Sequence, residues 1–184
     1  MRKVEQAINK GVNVILKTQI KVDGELTAWY AQYDPKTLLP SGARSYELPS
    51  ISGAESVEIV KFLMRIEHPD STIIQAVNSS VKWFEKVKIS GVRIIKKEMP
   101  NTERGYDLII GFDPVHAQPL WARFYEIGTN YPMFLDRDGI VKYALSEIGY
   151  ERRVGYRWLG SWANDLLEEA FPKWTETVGL LINE

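Results

Sequence analysis

The side chains best equipped for chemistry in this sequence are its arginines and aromatic rings, and they crowd into two stretches. Residues 29–53, WYAQYDPKTLLPSGARSYELPSISG, hold Trp29, Tyr30, Tyr33 and Tyr46 beside Arg44, Asp34 and Glu47. Residues 113–143 hold Trp121, Arg123, Phe124, Tyr125, Asn130, Tyr131, Arg137 and Asp138. Neither stretch has much helical or strand periodicity, and long irregular segments inside a compact domain tend to be functional. Rings beside arginine and asparagine suit a sugar, whose C–H face lies on a ring while its hydroxyls meet polar groups. Where the sugar carries a carboxylate, an arginine fork grips it through two hydrogen bonds. The same composition fits a structural reading, with the rings in the core and the arginines paired with Glu47, Glu126, Asp136 or Asp138.

Other chemistries are harder to build. With zero cysteines there are no disulfides, thiolate metal sites or thiol nucleophiles. Of the two histidines, His68 precedes a proline and His116 sits in an irregular stretch, neither with a partner at ligand spacing, so both read as surface residues. Glycine-rich phosphate loops, Gly-x-Ser-x-Gly and His-Glu-x-x-His are all missing from the sequence. Lys+Arg 23 against Asp+Glu 24 gives a net charge of -1, so no overall field recruits nucleic acid or an anionic membrane. The N-terminus interleaves charges with apolar residues and lacks the apolar core of a signal peptide, and no run approaches the ~20 apolar residues of a membrane span.

The elements that must position these residues read mostly as helices, in one domain over residues 1–184. Val4, Ile8, Val12 and Ile15 form a one-sided stripe over residues 2–18. Asp23-Gly24 predicts a hairpin turn. Ser52-Gly53-Ala54-Glu55 has capping-box spacing ahead of a helix that ends before His68-Pro69. Asp70 caps the next helix, with Ile73, Val77, Val81 and Phe84 on one face. Residues 91–97 and 105–112 read as a hairpin around a longer loop. Ser146 is expected to cap a short helix running to Arg153. A last helix over residues 162–171 is expected to be interrupted by Pro172, leaving a tail with one more helical turn or two.

Several strings, taken together and in order, carry a family resemblance: ILKTQ at residues 15–19, the loop WYAQYDPKTLLPSGARSYELPSISGAESV, then PLWARFYEI, RDG and ERRVGYRWLGSW. The chain resembles the C-terminal half of the catalytic module of family 10 pectate lyases, from about residue 5 to residue 175. The resemblance implies a mainly α fold, an α/α toroid of helical hairpins present here as a partial barrel, with a small β-hairpin and long irregular cleft loops. It implies calcium-dependent β-elimination on de-esterified homogalacturonan, with arginine as the base. Within ARSYEL that base is Arg44. Arg137 and Arg123 are implied as partners of substrate carboxylates, and Trp29, Tyr46, Tyr125 and Asn130 complete the expected substrate-binding set. An arginine base requires cationic neighbours and burial to disfavour its charge.

The sequence departs from the family in two ways. Tyr30 and Tyr33 stand where the family usually shows Cys and His. The family's N-terminal half, with the aspartates expected to bind calcium and substrate, has no counterpart, so the calcium ligands are unassigned and Asp34 and Glu47 alone make a poor site. The expectation is a weak catalyst or none when the chain stands alone. Its expected partners are polygalacturonate and either a missing N-terminal half or a second copy of itself, with no nucleic acid and no membrane. The family is secreted. The rival reading is a non-catalytic module that binds acidic glycan, or an inactive fragment.

Overall fold

The computed structural model of the protein describes residues 2–182. Helix α1, Arg2–Thr18, ends where the Thr18 hydroxyl turns back to the carbonyls of Val14 and Ile15. The chain then makes a hairpin of β1, Lys21–Val22, and β2, Glu25–Leu26. Asp23 and Gly24 at its tip take positive φ, 52° and 81°, as the dipeptide predicts. Gln19 ties this region together: its amide donates to the carbonyls of Thr27 and Ala76 and to the Ser80 hydroxyl, all buried. The ILKTQ string therefore ends in the side chain that holds α1 and the hairpin to a later helix.

After the irregular residues 27–50, β3, Ile51–Ser52, leads into α2, Glu55–Met64. Ser52 accepts hydrogen bonds from the amides of Ala54 and Glu55, half of the predicted box. The other half differs, because the Glu55 carboxylate meets the Ser52 hydroxyl and Arg123 instead of a backbone amide. Helix α3, Ser71–Lys86, is capped by Asp70, which accepts from the Ile73 amide at 2.9 Å. It forms with α2 the one expected helical hairpin. Strands β4, Val92–Glu98, and β5, Tyr106–Phe112, pair antiparallel along their whole length.

The second half corrects the expected fold class. A toroid of helical hairpins needs helices to follow one another, whereas residues 87–149 contain no α-helix. They form β4 and β5 and then β6, Trp121–Ala122, β7, Phe124–Tyr125, β8, Phe134–Leu135, and β9, Val141–Lys142. Among the described residues there are five α-helices and ten strands, so the fold is mixed rather than mainly α. The short pairs act as stitches. β7 pairs with β3, and β6 pairs with β10, Leu159–Gly160, after α4, Tyr150–Gly155. Backbone ladders thus satisfy buried N–H and C=O groups in segments whose glycines and prolines prevent helix formation.

Two further expectations are revised. Ser146 does not cap α4; the amide of Gly149 at its start donates to both Asp136 carboxylate oxygens, at 2.9 and 3.0 Å. Nor does Pro172 end the last helix. A π-helical stretch, Leu166–Ala170, runs directly into α5, Phe171–Ile182, and Pro172 falls in the first turn of α5, where a missing N–H is tolerated. Residues 183–184 of the expected tail lie outside the described residues. The core gathers Trp29, Ile51, Val57, Val60, Leu63, Val77, Phe84, Trp121, Tyr125, Leu135 and Leu166 between the helices and the stitched strands.

Candidate functional site

The two irregular stretches meet at a pair of turns. Residues 44–47 form the first, closed by the Glu47 amide donating to the Arg44 carbonyl at 2.9 Å. The second, residues 136–139, is closed by the Gly139 amide on the Asp136 carbonyl at 3.1 Å. The Ser45 hydroxyl donates to the Arg137 carbonyl across them, at 2.9 Å. Gly139 has φ 75°, and a Cβ there would sit 2.6 Å from the Ser45 carbonyl oxygen, so only glycine permits both the turn and the approach.

This contact brings both Arg44 and Arg137 to the Tyr46 side chain. Their guanidinium carbons lie 5.4 and 5.8 Å from its ring centroid, and that of Arg152 from α4 lies 4.4 Å away. Arg152 is itself buried, within 4.9 Å of the Tyr156 ring and 5.1 Å of the Trp158 ring. Its Nη2 is sealed from solvent without a hydrogen-bond partner. Helix α4 is fixed from its other side, where Arg153 makes a two-pronged pair with Asp107 of β5 at 2.8 and 2.7 Å.

Arg44 is held as a cation. Its Nε and Nη2 donate to the two oxygens of Glu47 at 3.1 and 2.9 Å, and Nη1 donates to the Tyr46 hydroxyl at 3.3 Å. The hydrogen bond to Glu47, followed by that to Tyr46, raises the guanidinium above its ordinary value. Arg137 is paired in the same two-pronged way with Glu151, at 3.0 and 2.8 Å, and is raised likewise. Arg123 pairs with Glu55 at 2.5 Å and lies 5.2 Å from the Tyr156 ring.

The other expected site residues are elsewhere. Trp29 and Tyr125 have 1% and 0% of their surface exposed, with polar atoms spent on backbone partners, so no face of either ring is open to a ligand. Asn130, at φ 61°, accepts from the Trp83 indole and lines a pocket of about 310 Å³ with Lys82 and Lys86. Larger cavities lie under the β4–β5 hairpin, about 610 Å³, and between α1 and the start of α3, about 640 Å³. None of the three includes Arg44, Arg123 or Arg137; the side chains of Arg44 and Arg137 are exposed and that of Arg123 is largely covered, and together with Arg152 they make up a basic face against the rings.

The sequence reading assigned no role to Arg152, Tyr156, Arg157 or Trp162, all within the ERRVGYRWLGSW string. Its signal was an alternation of arginines with rings. Asp34 and Glu47 are each engaged in a local contact. Asp34 Oδ1 accepts from the amides of Lys36 and Thr37 and from the Thr37 hydroxyl, a local turn that lowers its carboxyl below the usual range, with the Thr37 amide the largest cause. Glu47 is engaged by Arg44. Among the described residues no group of three or more His, Asp or Glu side chains could hold an ion, so the residues present do not fit calcium.

Comparison with known proteins fits this geometry into a family. The family model described as pectic acid lyase matches residues 1–167. Two solved structures of the family 10 polysaccharide lyase from Cellvibrio cellulosa superpose on the chain. One, an aspartate-to-alanine mutant in complex with trigalacturonic acid, is 34% identical with a TM-score of 0.78; the other is 35% identical with a TM-score of 0.76. Each match covers 91% of this chain and 50% of the solved one, so the chain spans about half the length of these relatives. No curated protein matches it.

Proposed function

The chain belongs to the pectic acid lyase family, and from that premise we propose that it acts on de-esterified polygalacturonate by β-elimination, with Arg44 as the group that takes the C5 proton. The observation that carries this reading is the convergence of Arg44, Arg137 and Arg152 on one tyrosine ring, where the two irregular loops touch. Removal of the C5 proton leaves an electron pair that forms the C4–C5 double bond as the C4–O bond breaks, and the leaving oxygen takes a proton from water. Arg137, and Arg123 beyond it, supply positive charge for the uronate carboxylates as negative charge develops. Arg152 adds a buried charge on the same tyrosine ring.

Glu47 opposes that step by keeping Arg44 charged. In this reading the base acts only after Glu47 has released the Arg44 fork. Calcium has no cluster of ligands among the described residues, so no step is assigned to it here. The Arg44–Glu47 clamp also favours a second reading, a module that binds acidic glycan without cleaving it. The chain is incubated with polygalacturonate while the ultraviolet absorbance of unsaturated product and the binding heat are followed. Product that disappears in Arg44→Ala supports the lyase. Binding without product, in the presence and absence of added calcium, supports the binder and overturns the lyase for this chain.

A further inference from the structure

The basic face extends beyond the residues used above, as a connected series in which guanidiniums alternate with rings. From Tyr46 it passes through Arg152 to Tyr156, then to Arg123 at 5.2 Å, to Trp162 at 5.5 Å, and ends at Arg157, 5.3 Å from the Trp162 centroid. The charges along it are not equivalent. Arg44, Arg123 and Arg137 each have a carboxylate partner, and Arg152 is buried. Arg157 is exposed, and among the described residues no carboxylate pairs with it; its backbone carbonyl is what accepts from Arg123, at 3.3 Å.

The end of the series is shaped as well as charged. Trp162 is half-buried and sits directly over Gly160 of β10. A Cβ on Gly160 would lie 2.8 Å from Trp162 Cε2 and 3.0 Å from Arg157 Nε, so a side chain at this position would displace both. The strand thus leaves space for the indole and the guanidinium to stack. Stacking restricts the arginine while leaving its donors free, which reduces the entropy lost when an anion binds.

We propose that Arg157 and Trp162 form an outer subsite for one uronate unit of an acidic polysaccharide, lying beyond the units held near Arg44 and Arg137. Arg157 grips the carboxylate as a fork, Trp162 sets the angle of that fork, and Arg123 links the subsite to the rest of the face. The proposal rests on the reading of the chain as a polygalacturonate-binding protein. It predicts that affinity grows with oligomer length and that the growth is lost when either residue is removed.

The test measures calorimetric affinity of the whole chain for tri- and hexagalacturonic acid, with fully methyl-esterified hexamer and polyglutamate as controls. Wild type is expected to bind the acidic hexamer about tenfold tighter than the trimer, the yield of one additional charged, forked hydrogen-bond contact. In Arg157→Gln and Trp162→Ala the ratio of the two affinities is expected to fall towards one, with circular dichroism confirming the fold; Gly160→Ala should lower it through the stack. A ratio near one in wild type, or an unaltered ratio in Arg157→Gln, overturns the subsite while trimer binding upholds the underlying function. Polyglutamate or esterified hexamer binding as tightly as the acidic hexamer overturns the uronate assignment. Failure of every oligomer to bind overturns both.

Discussion

At the scale of the residue, the central fact is that the candidate base is also an ion-pair partner. Arginine loses a proton only when its surroundings penalise the charge, whereas the Arg44 side chain is 67% exposed and has Glu47 against its fork, with Arg137 and Arg152 sharing only the Tyr46 ring. Glu47 raises the guanidinium, so replacing it should lower the Arg44 value and enlarge the neutral fraction at any given pH. Glu47→Gln is therefore expected to move the rising limb of the pH–rate profile for polygalacturonate cleavage towards lower pH. A profile that stays in place in a folded variant would show that the clamp does not control the base. Sequence alone named Arg44 and Arg137 and offered Glu47 as a structural partner for an arginine; the 44–47 turn is what sets Arg44 and Glu47 on one side. Trp29 and Tyr125 show the converse: ring type suggests ligand-facing side chains, while the β3–β7 pairing carries Tyr125 into the core and the Ser52 amide ties the buried Trp29 beside it.

At the scale of the element, the site depends on α4, a helix of only 6 residues. So short a helix has little intrinsic stability, and its position comes from side chains: Asp136 at its start, Arg152 among the rings, and Arg153 on Asp107. The Arg153–Asp107 pair is mostly buried, at 16% and 12% side-chain exposure. Asp107→Asn leaves a buried guanidinium without its counter-charge and is expected to cost about 3 kcal/mol in denaturant unfolding. The pH dependence has a definite sign. The hydrogen bond from Arg153 holds the Asp107 carboxyl below its ordinary value of 3.8. The stabilisation is therefore complete above that value and is lost as pH falls through the lower folded one. Wild type should lose this increment in acid, whereas Asp107→Asn, lacking it already, should show a flatter acid limb; parallel limbs would sink the assignment. The long helices and the β4–β5 hairpin were legible because period and caps are local. The β3–β7 and β6–β10 pairs and the link from Asp136 to Gly149 were not, since each is defined by a partner distant in sequence.

At the scale of the whole molecule, α1 is only half used. Its stripe of Val4, Ile8, Val12 and Ile15 was legible in the sequence, yet residues 2–11 are all exposed and contact with the body begins at Val12. Val4, Ile8 and Val14 are 64%, 51% and 50% exposed, apolar surface of the kind that proteins usually cover. A helix segment of that length is marginal in water without packing. The chain is therefore expected to associate with a second copy through α1, the apolar side chains of one helix covering those of the other. Sedimentation velocity over a hundredfold concentration range should show a shift from monomer to dimer, and Val4→Lys with Ile8→Lys should abolish it. The same double variant should keep its affinity for hexagalacturonic acid. A wild type that stays monomeric throughout would refute association through this face, and would leave the first half of α1 as a helix held only by its own hydrogen bonds.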